Sequence, residues 1–319
     1  MKLVVLDGYC LNPGDLSWDA LESLAAELIV HDRTSADEVV ARCEGAALVM
    51  TNKTPVTAES MAQLPALSYI GVMATGYDIV DVEAAAKKGV TVTNIPTYGT
   101  ASVAQHTFAL LLELCNHAGM HSQAVHAGEW GRGADWCFWK SPLVELAGKT
   151  MGIIGFGRIG RQTAQIADAM GMKVIANDSY EVSAPAYEGF RWAPVEELLA
   201  EADAVSLHCP LTPENEGVID ARRLRLMKRT AFLLNTSRGP LVVDRDLADA
   251  LNNGVIAGAG LDVLTVEPPV DGNPLFGARN CVLTPHIAWA TKEARARLMQ
   301  IAVDNVGAYL SGTPRNVVS

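Results

Sequence analysis

The stretch Gly152–Asp178 reads GIIGFGRIGRQTAQIADAMGMKVIAND and determines the fold of the second half of the chain. The apolar run from Met151 to Ile154 predicts a buried strand, and the apolar spacing from Ile159 to Met170 predicts a helix. The segment KVIAN predicts a second strand, which ends at Asp178. A strand, a helix and a second strand in this order indicate a βαβ unit in a parallel sheet.

Three glycines, Gly155, Gly157 and Gly160, lie between the first strand and the helix in the spacing G-x-G-x-x-G. In a βαβ unit this spacing is typical of dinucleotide binding. The first glycine permits a tight turn, the second lets the backbone approach a pyrophosphate, and the third lets the helix pack close to the strand. Arg158 and Ile159 belong to the same predicted cofactor site, because free N–H groups at a helix N-terminus bind phosphate.

Asp178 follows the second strand, where a carboxylate can accept hydrogen bonds from the ribose hydroxyls of NAD. It would repel the 2′-phosphate of NADP. We therefore predict NAD as the cofactor, with NADH preferred over NADPH. The neighbouring Arg158 leaves some use of NADPH open.

The rest of the chain alternates in the same way and predicts an α/β fold with two doubly wound parallel-sheet domains. In the first half, KLVVLD, ELIVH, ALVMTN, YIGVMAT and TVTN predict strands, with helical patterns between them. In the second half we expect six strands, in KTMGIIGFG, KVIAND, AVSLHCP, TAFLLNTS, AGAGLDV and CVLTP.

The domain boundaries follow from the helices. The last helix, from Thr291 to about Leu310, carries an apolar stripe that needs a partner. We assign it to the first domain, residues 1–100 and 290–319, and predict a dinucleotide-binding domain over residues 101–289. Ser102 and Gln105 have the spacing of a capping box, so we expect one long helix after them. The segment EWGRGADWCFWKSP predicts an irregular arm with exposed aromatic residues, suited to an oligomer contact.

Composition excludes several classes of protein. The chain has 319 residues, 49% of them hydrophobic, and a net charge of −11. The negative charge argues against nucleic acid and against an anionic membrane surface as partners, and no apolar stretch approaches the length of a membrane span. Six cysteines without CxxC pairing indicate reduced thiols in a cytoplasmic protein. No metal-ligand spacing is present, and we interpret His117, His121 and His126 as a helix surface.

Three further residues follow predicted strands of the second half: Arg238 in NTSRGP, Glu267 in VEPP and His286 in TPHIAWAT. Ligands bind at the carboxyl ends of parallel strands, so these side chains can converge. An arginine matches a carboxylate bidentately. A histidine exchanges protons near neutral pH, and a neighbouring carboxylate favours its charged form. This set suits hydride transfer to a 2-keto acid.

The chain resembles the D-isomer-specific 2-hydroxyacid dehydrogenases. The matching segments are GIIGFGRIG, VSLHCPLT, LLNTSRGPLVV, GAGLDV, EPP and LTPHIAWAT, in the family's order, over about Asn52 to Arg315. Within the family, NKTPVT, the arm CFWKSPLVELAGKT and Ala288-Trp289 look most like glycerate dehydrogenases, also called hydroxypyruvate reductases. Gln105 departs from the glutamate that the family often has there.

The resemblance implies a role for each matching residue. Arg238 would bind the substrate carboxylate, His286 would be the acid/base and Glu267 its partner. The backbone at Ala74, Thr75 and Gly76, with Lys53, would bind substrate in the first domain. The remaining cofactor contacts would be Cys209 and Pro210 at the adenine, and Thr236, Ser237, Asp262 and Ala288 at the nicotinamide half. The family also implies a homodimer that pairs through residues 120–148.

The expected activity is therefore NADH-dependent reduction of a small 2-keto acid, hydroxypyruvate or glyoxylate, reversible from D-glycerate or glycolate. We expect the domains to close over the substrate and exclude water. One alternative is a dehydrogenase for 3-phosphoglycerate or for a branched or aromatic 2-keto acid. The other is a non-enzymatic NAD-sensing binding protein. A fall in NADH absorbance in the presence of any 2-keto acid would identify an enzyme, whereas a binding protein would leave the absorbance unchanged.

Overall fold

The computed structural model describes residues 1–181 and 183–319. The chain divides into two compact units, Met1–Gly99 with Ala290–Ser319, and Thr100–Trp289. Each unit is built on one sheet in which the paired strands of the described residues are parallel. The predicted fold class, α/β with two parallel-sheet domains, is confirmed.

The first unit contains a five-stranded sheet in the order β2-β1-β3-β4-β5, which is the order of flavodoxin-like folds. Its strands are β1 (Lys2–Val5), β2 (Glu27–Val30), β3 (Leu48–Thr51), β4 (Tyr69–Val72) and β5 (Thr91–Thr93). The connecting helices are α1 (Asp19–Glu22), α2 (Val39–Arg42), α3 (Ala58–Ala62) and α4 (Val82–Lys88). The residues of β3 and β4 are buried along their whole length, as the apolar runs predict for inner parallel strands.

The second unit contains a seven-stranded sheet in the order β12-β11-β10-β9-β6-β7-β8. Its strands are β6 (Thr150–Ile154), β7 (Lys173–Asn177), β8 (Arg191–Trp192), β9 (Ala204–Leu207), β10 (Phe232–Asn235), β11 (Gly258–Leu261) and β12 (Cys281–Leu283). Its helices are α5 (Thr100–Asn116), α6 (Ala118–His126), α7 (Glu129–Arg132), α8 (Arg158–Ala169), α9 (Val195–Glu201), α10 (Ala221–Leu224) and α11 (Asp244–Asn252). The strand order reverses between β6 and β9. In a doubly wound sheet, ligands bind at the carboxyl ends of the strands at such a point.

The last helix of the chain, α12 (Lys292–Leu310), belongs to the first unit. Arg295 is 8% exposed and donates two hydrogen bonds of 2.7 Å to the carboxylate of Asp15. These hydrogen bonds lower the pKa of Asp15. Farther along the helix, Asn305 donates to the carbonyl of Asn94 at 3.0 Å. Charged and polar groups thus fix both halves of α12 to this unit.

Three details differ from the sequence-based expectations. The helix α5 begins at Thr100, so Ser102 lies inside its first turn and is not the cap. The expected single long helix ends at Asn116, because His117 adopts a left-handed conformation (φ 48°), and α6 follows. The second sheet has a seventh strand, β8, of two residues, which is too short to leave a pattern in the sequence.

Candidate active site

The glycine loop connects β6 to α8 at the carboxyl edge of the second sheet. Gly155 has φ 94°, and a Cβ there would lie 2.4 Å from the backbone nitrogen of Cys209. A Cβ on Gly160 would lie 2.1 Å from the carbonyl oxygen of Gly155. Only glycine fits at either position, since real Cβ atoms do not approach other heavy atoms so closely. The turn is therefore built for close approach of the backbone.

The start of α8 has open space and backbone N–H groups that are free to donate. A Cβ on Gly157, the residue that precedes the helix, would meet nothing within 4 Å. Within the part of the chain that the structure describes, the N–H groups of Ile159 and Gly160 donate to no acceptor. Open space beside free N–H groups at a helix N-terminus fits the pyrophosphate of a dinucleotide.

Asp178 lies directly after β7 and supports this loop. Its Oδ2 accepts a hydrogen bond from the N–H of Phe156 at 2.6 Å, and its Oδ1 accepts from Tyr180 at 3.0 Å. The carboxylate therefore stands beside the glycine turn at the end of the second strand of the βαβ unit. A ribose bound there would meet a negative charge that is already anchored on one side.

Arg238 follows β10, the strand between β9 and β11. Its backbone carbonyl accepts from the side chain of Asn235 at 2.8 Å, and its Nη1 donates to the carbonyl of Ser237 at 2.8 Å. The residue is exposed. Its local bonds fix the turn while the guanidinium reaches solvent at the carboxyl edge of the sheet, where it can bind an anion.

Glu267 and His286 are in direct contact. The loop after β11 carries Glu267 and the loop after β12 carries His286. The Nδ1 of His286 lies 2.5 Å from Oε2 of Glu267, while Oε1 accepts from the N–H of Leu264 at 2.9 Å. Both side chains are 34% exposed. The carboxylate thus fixes the orientation of the imidazole and leaves Nε2 available to exchange a proton with a ligand.

Asp262 holds the backbone on the carboxyl side of His286. It is 1% exposed and accepts from the N–H groups of Ile287 (2.9 Å) and Ala288 (2.8 Å) and from the hydroxyl of Thr284 (2.6 Å). His286 itself has φ 55°, a left-handed conformation. These bonds stabilise the strained turn that presents the imidazole.

The sequence did not indicate a second histidine in this network. Nε2 of His106, on α5, lies 2.9 Å from Oγ1 of Thr284 and 3.5 Å from Oδ1 of Asp262. Nothing in the local pattern of α5 distinguishes His106 from an ordinary core residue, because its partner Thr284 is 178 positions away in the chain. The contact of Asp262 with the nicotinamide half of the cofactor stays a prediction, and its role in shaping the loop is an observed addition.

The other predicted cofactor residues lie after β9 and β10. The hydroxyl of Ser237 donates to the carbonyl of Cys209 at 2.6 Å, and burial raises the pKa of the Cys209 thiol to about 11. Thr236 is buried and shares a hydrogen bond of 2.9 Å with Thr107. Pro210 is exposed, whereas Ala288 is buried after β12. The thiol of Cys209 is thus a neutral part of a surface rather than a nucleophile.

The predicted substrate residues of the first unit follow β3 and β4. Lys53 is exposed after β3, and Ala74, Thr75 and Gly76 follow β4. The backbone of this second loop is fixed, since the carbonyl of Thr75 accepts from Asn94 at 2.8 Å and its hydroxyl donates to Ile95 at 2.8 Å. Both loops lie at the carboxyl edge of the first sheet.

His208, after β9, has the largest lowering of a histidine pKa among the described residues. Its Nε2 lies 2.9 Å from the hydroxyl of Ser206, and desolvation lowers its pKa from 6.5 to about 3. The unfolded chain binds a proton on this ring below pH 6.5, whereas the folded chain does so only near pH 3. The contribution of neutral His208 to the stability of the fold is therefore fully present above pH 6.5 and decreases as the pH falls toward 3.

We expect His208→Gln to reduce the acid sensitivity of the protein. Urea unfolding at neutral pH and at about pH 5 should show that the wild type loses up to about 2 kcal/mol more than the variant. Equal losses in the two proteins would show that His208 titrates normally in the folded state.

The described residues contain neither a candidate metal site nor a helix suited to cross a membrane. No group of histidine, cysteine and acidic side chains in these parts of the chain could hold a metal ion. Among the same residues, no helix combines the length and the apolar character that crossing a membrane requires.

Comparison with known proteins identifies relatives across the whole chain. Residues 108–288 match the family described as D-isomer specific 2-hydroxyacid dehydrogenase, NAD binding domain. The chain is 55% identical to a hydroxypyruvate reductase of Blautia hydrogenotrophica over the full length of both proteins. It is 42% identical to a glycerate dehydrogenase of Methylorubrum extorquens over 88% of each. Its structure is similar to that of a D-lactate dehydrogenase from Aquifex aeolicus complexed with NAD and lactic acid, with a TM-score of 0.81 and 29% identity over 98% of this chain and 96% of that one.

The fold and these matches define an NAD-dependent oxidoreductase that acts on CH–OH donors. The chain belongs to the D-isomer specific 2-hydroxyacid dehydrogenase family, which confirms the resemblance seen in the sequence. It interconverts a small 2-hydroxy acid and the corresponding 2-keto acid, with NAD bound by the second unit.

Proposed function

We propose that the protein reduces hydroxypyruvate or glyoxylate with NADH, and that His286 is the acid/base of the reaction. The contact between His286 and Glu267 carries the proposal, because an exposed imidazole with one nitrogen fixed by a carboxylate is suited to proton transfer. The choice of substrate is supported by the hydroxypyruvate reductase of Blautia hydrogenotrophica, which is 55% identical over the full length.

In the proposed mechanism Arg238 binds the substrate carboxylate through its guanidinium. Nε2 of His286 donates a proton to the carbonyl oxygen of the substrate, which becomes the hydroxyl oxygen of the product. Glu267 holds the ring and balances the charge that the ring carries when it is protonated. The nicotinamide cofactor, when bound, supplies the hydride for C2 of the substrate. In the reverse direction His286 accepts the proton of the hydroxyl.

We assign the cofactor contacts to the glycine loop and the strand ends around it. Gly155, Gly157 and Gly160, with Arg158 and Ile159, would hold the pyrophosphate. The other contacts that we propose are Asp178 at the ribose, Cys209 and Pro210 at the adenine, and Thr236, Ser237, Asp262 and Ala288 at the nicotinamide half. The open space at Gly157 and the free N–H groups of α8 support the first of these assignments.

The first unit supplies further donors to the substrate in this proposal. Within the described residues, the backbone N–H groups of Ala74, Thr75 and Gly76 donate to no acceptor. Three successive free N–H groups suit a carboxylate. Lys53 adds a cation on the neighbouring loop and is our candidate for the residue that sets specificity.

A panel of 2-keto acids tests the substrate. Oxidation of NADH would be followed with hydroxypyruvate, glyoxylate, pyruvate, 3-phosphohydroxypyruvate, 2-ketoisocaproate and phenylpyruvate. We expect hydroxypyruvate or glyoxylate to lead in kcat/KM by about tenfold or more, which corresponds to one well-placed polar contact. A lead by a bulky or phosphorylated keto acid would refute the substrate while leaving the mechanism intact. Binding of NADH without turnover of any acid would refute the mechanism.

The preference for NADH is assigned to Asp178. We expect Asp178→Ala to lower the ratio of kcat/KM with NADH to kcat/KM with NADPH by about 10- to 100-fold, because the carboxylate that accepts hydrogen bonds from the ribose hydroxyls and repels a 2′-phosphate is lost. Asp168→Ala, an exposed substitution on α8, removes the same charge away from the loop and should leave the ratio unchanged. An unchanged ratio in Asp178→Ala would remove the ribose assignment.

We also propose a homodimer formed through residues 120–148. Two tryptophans in this arm are strongly exposed, Trp136 at 86% and Trp139 at 66%, which is costly for a surface that stays in water.

The cysteines are free thiols in the structure, which supports our expectation of a reducing, cytoplasmic environment.

A further inference from the structure

Asp7, two residues after the end of β1, holds the loop that carries Lys53. Its Oδ1 accepts from the N–H of Asn52 at 2.7 Å, and its Oδ2 accepts from the N–H groups of Lys53 at 2.5 Å and Thr54 at 2.8 Å. Three consecutive backbone donors thus converge on one carboxylate. Charge-assisted bonds of this kind are about twice as strong as neutral ones, so the loop has little freedom to move.

The same loop is connected to the one that follows β4. The side chain of Asn52 is 7% exposed and donates to the carbonyl of Met73 at 2.6 Å. On the other side of this second loop, Asn94 is 9% exposed and donates to the carbonyl of Thr75. Two buried amides therefore fix the carbonyl groups at Met73 and Thr75, and one of them belongs to the segment that Asp7 holds.

The loop after β4 also carries backbone N–H groups that make no hydrogen bond within the described residues. The backbone donors of Ala74, Thr75 and Gly76 have no acceptor in the described part of the chain. The ammonium of Lys53 likewise has no acidic partner among the described residues. The negative charge of Asp7 is engaged by backbone, so it leaves the Lys53 ammonium free to interact with a ligand.

We propose that Asp7 is a positioning residue for substrate binding, which fixes Lys53 and, through Asn52, the backbone donors after β4. This inference rests on the proposed function, because it assumes that Lys53 and residues 74–76 bind the 2-keto acid. An asparagine at position 7 would keep the size of the side chain. However, its NH₂ group would face at least one backbone N–H, and the loop would have to move.

The test compares Asp7→Asn, Lys53→Met and the double variant in the full-length protein. Asp81→Asn is the matched control, since Asp81 also accepts a backbone N–H in the first unit, at the start of α4. We expect Asp7→Asn to raise KM for hydroxypyruvate about tenfold or more, with kcat changed by less than about threefold and the Kd of NADH unchanged. The double variant should raise KM by less than the product of the two single effects, because the part of the Asp7 effect that acts through Lys53 is already lost.

Three results would overturn the proposal. The first is an unchanged KM in Asp7→Asn while Lys53→Met raises it, which leaves the role of Lys53 intact. The second is an equal rise in Asp81→Asn, which would indicate general destabilisation of the unit. The third is an unchanged KM in Lys53→Met, which removes the residue that Asp7 is proposed to position.

Failure of the proposed substrate is visible separately. The wild type alone reports it, through the panel of 2-keto acids. If another acid leads that panel, the four proteins are compared with that acid, and the expected pattern of KM values is the same.

Discussion

Changing His286 to Asn is expected to lower kcat by ~10²–10⁴-fold while NADH still binds. Asparagine tolerates the left-handed conformation that the backbone adopts at this position, φ 55°, so the loop can keep its shape. Its amide cannot transfer a proton to the substrate oxygen. The N–H groups of Ile287 and Ala288 still donate to the carboxylate of Asp262 in this variant.

The measurements are kcat by NADH absorbance and the Kd of NADH by fluorescence titration. His286→Ala should give a similar loss of kcat, and Glu267→Gln a smaller one, because the amide still orients the ring but lacks the charge. His117→Asn, at another histidine with a left-handed backbone (φ 48°), serves as the control and should leave kcat unchanged. Loss of NADH binding together with activity would show that His286 shapes the cofactor site and is not the acid/base.

Changing Gly239 to Ala should disrupt two parts of the site at once. A Cβ at this position would lie 1.8 Å from the carbonyl oxygen of Leu264 and 2.0 Å from its carbonyl carbon. Gly239 follows Arg238 directly, and the N–H of Leu264 donates to Glu267. The methyl group therefore forces apart the turn that carries Arg238 and the loop that carries Glu267.

We expect this variant to lose about 10²-fold or more in kcat/KM, since a displacement of about 1 Å at a reacting group has an effect of that size. Its Tm should also fall, because overpacking costs about 1–3 kcal/mol. Gly277→Ala is the matched control in the same unit, where a Cβ would meet nothing within 4 Å. Activity and Tm close to the wild type in Gly239→Ala would show that the Leu264 loop yields without consequence.

The sequence predicted the features that depend on neighbouring residues. The glycine turn is one, because the spacing of Gly155, Gly157 and Gly160 between a strand and a helix lies within one local segment. The strands other than β8 are another, since continuous apolar runs mark strands that are buried on both faces. The placement of His286 and Glu267 after strands was also visible. Their roles in the reaction stay predictions that the variants above test.

Features that depend on distant pairing were not visible in the sequence. The bond from Asn52 to Asp7 joins residues 45 positions apart, and it exists because β3 lies beside β1 in the sheet. The residue pattern of a single strand does not show which other strand will pair with it. The network of His106, Thr284 and Asp262 was missed for the same reason. The left-handed residue His117, which divides the expected helix, occupies a position where the apolar period alone gives no reason to stop.

The two ends of the chain are joined by the ion pair of Asp15 and Arg295, which lie 280 positions apart. A ribosome therefore releases Asp15 well before Arg295. The residues of Thr100–Trp289 are therefore complete, and able to fold, while the first 99 residues still lack α12. The discontinuous unit therefore completes its folding after the continuous one, and the surface that α12 covers stays exposed until α12 has been synthesised.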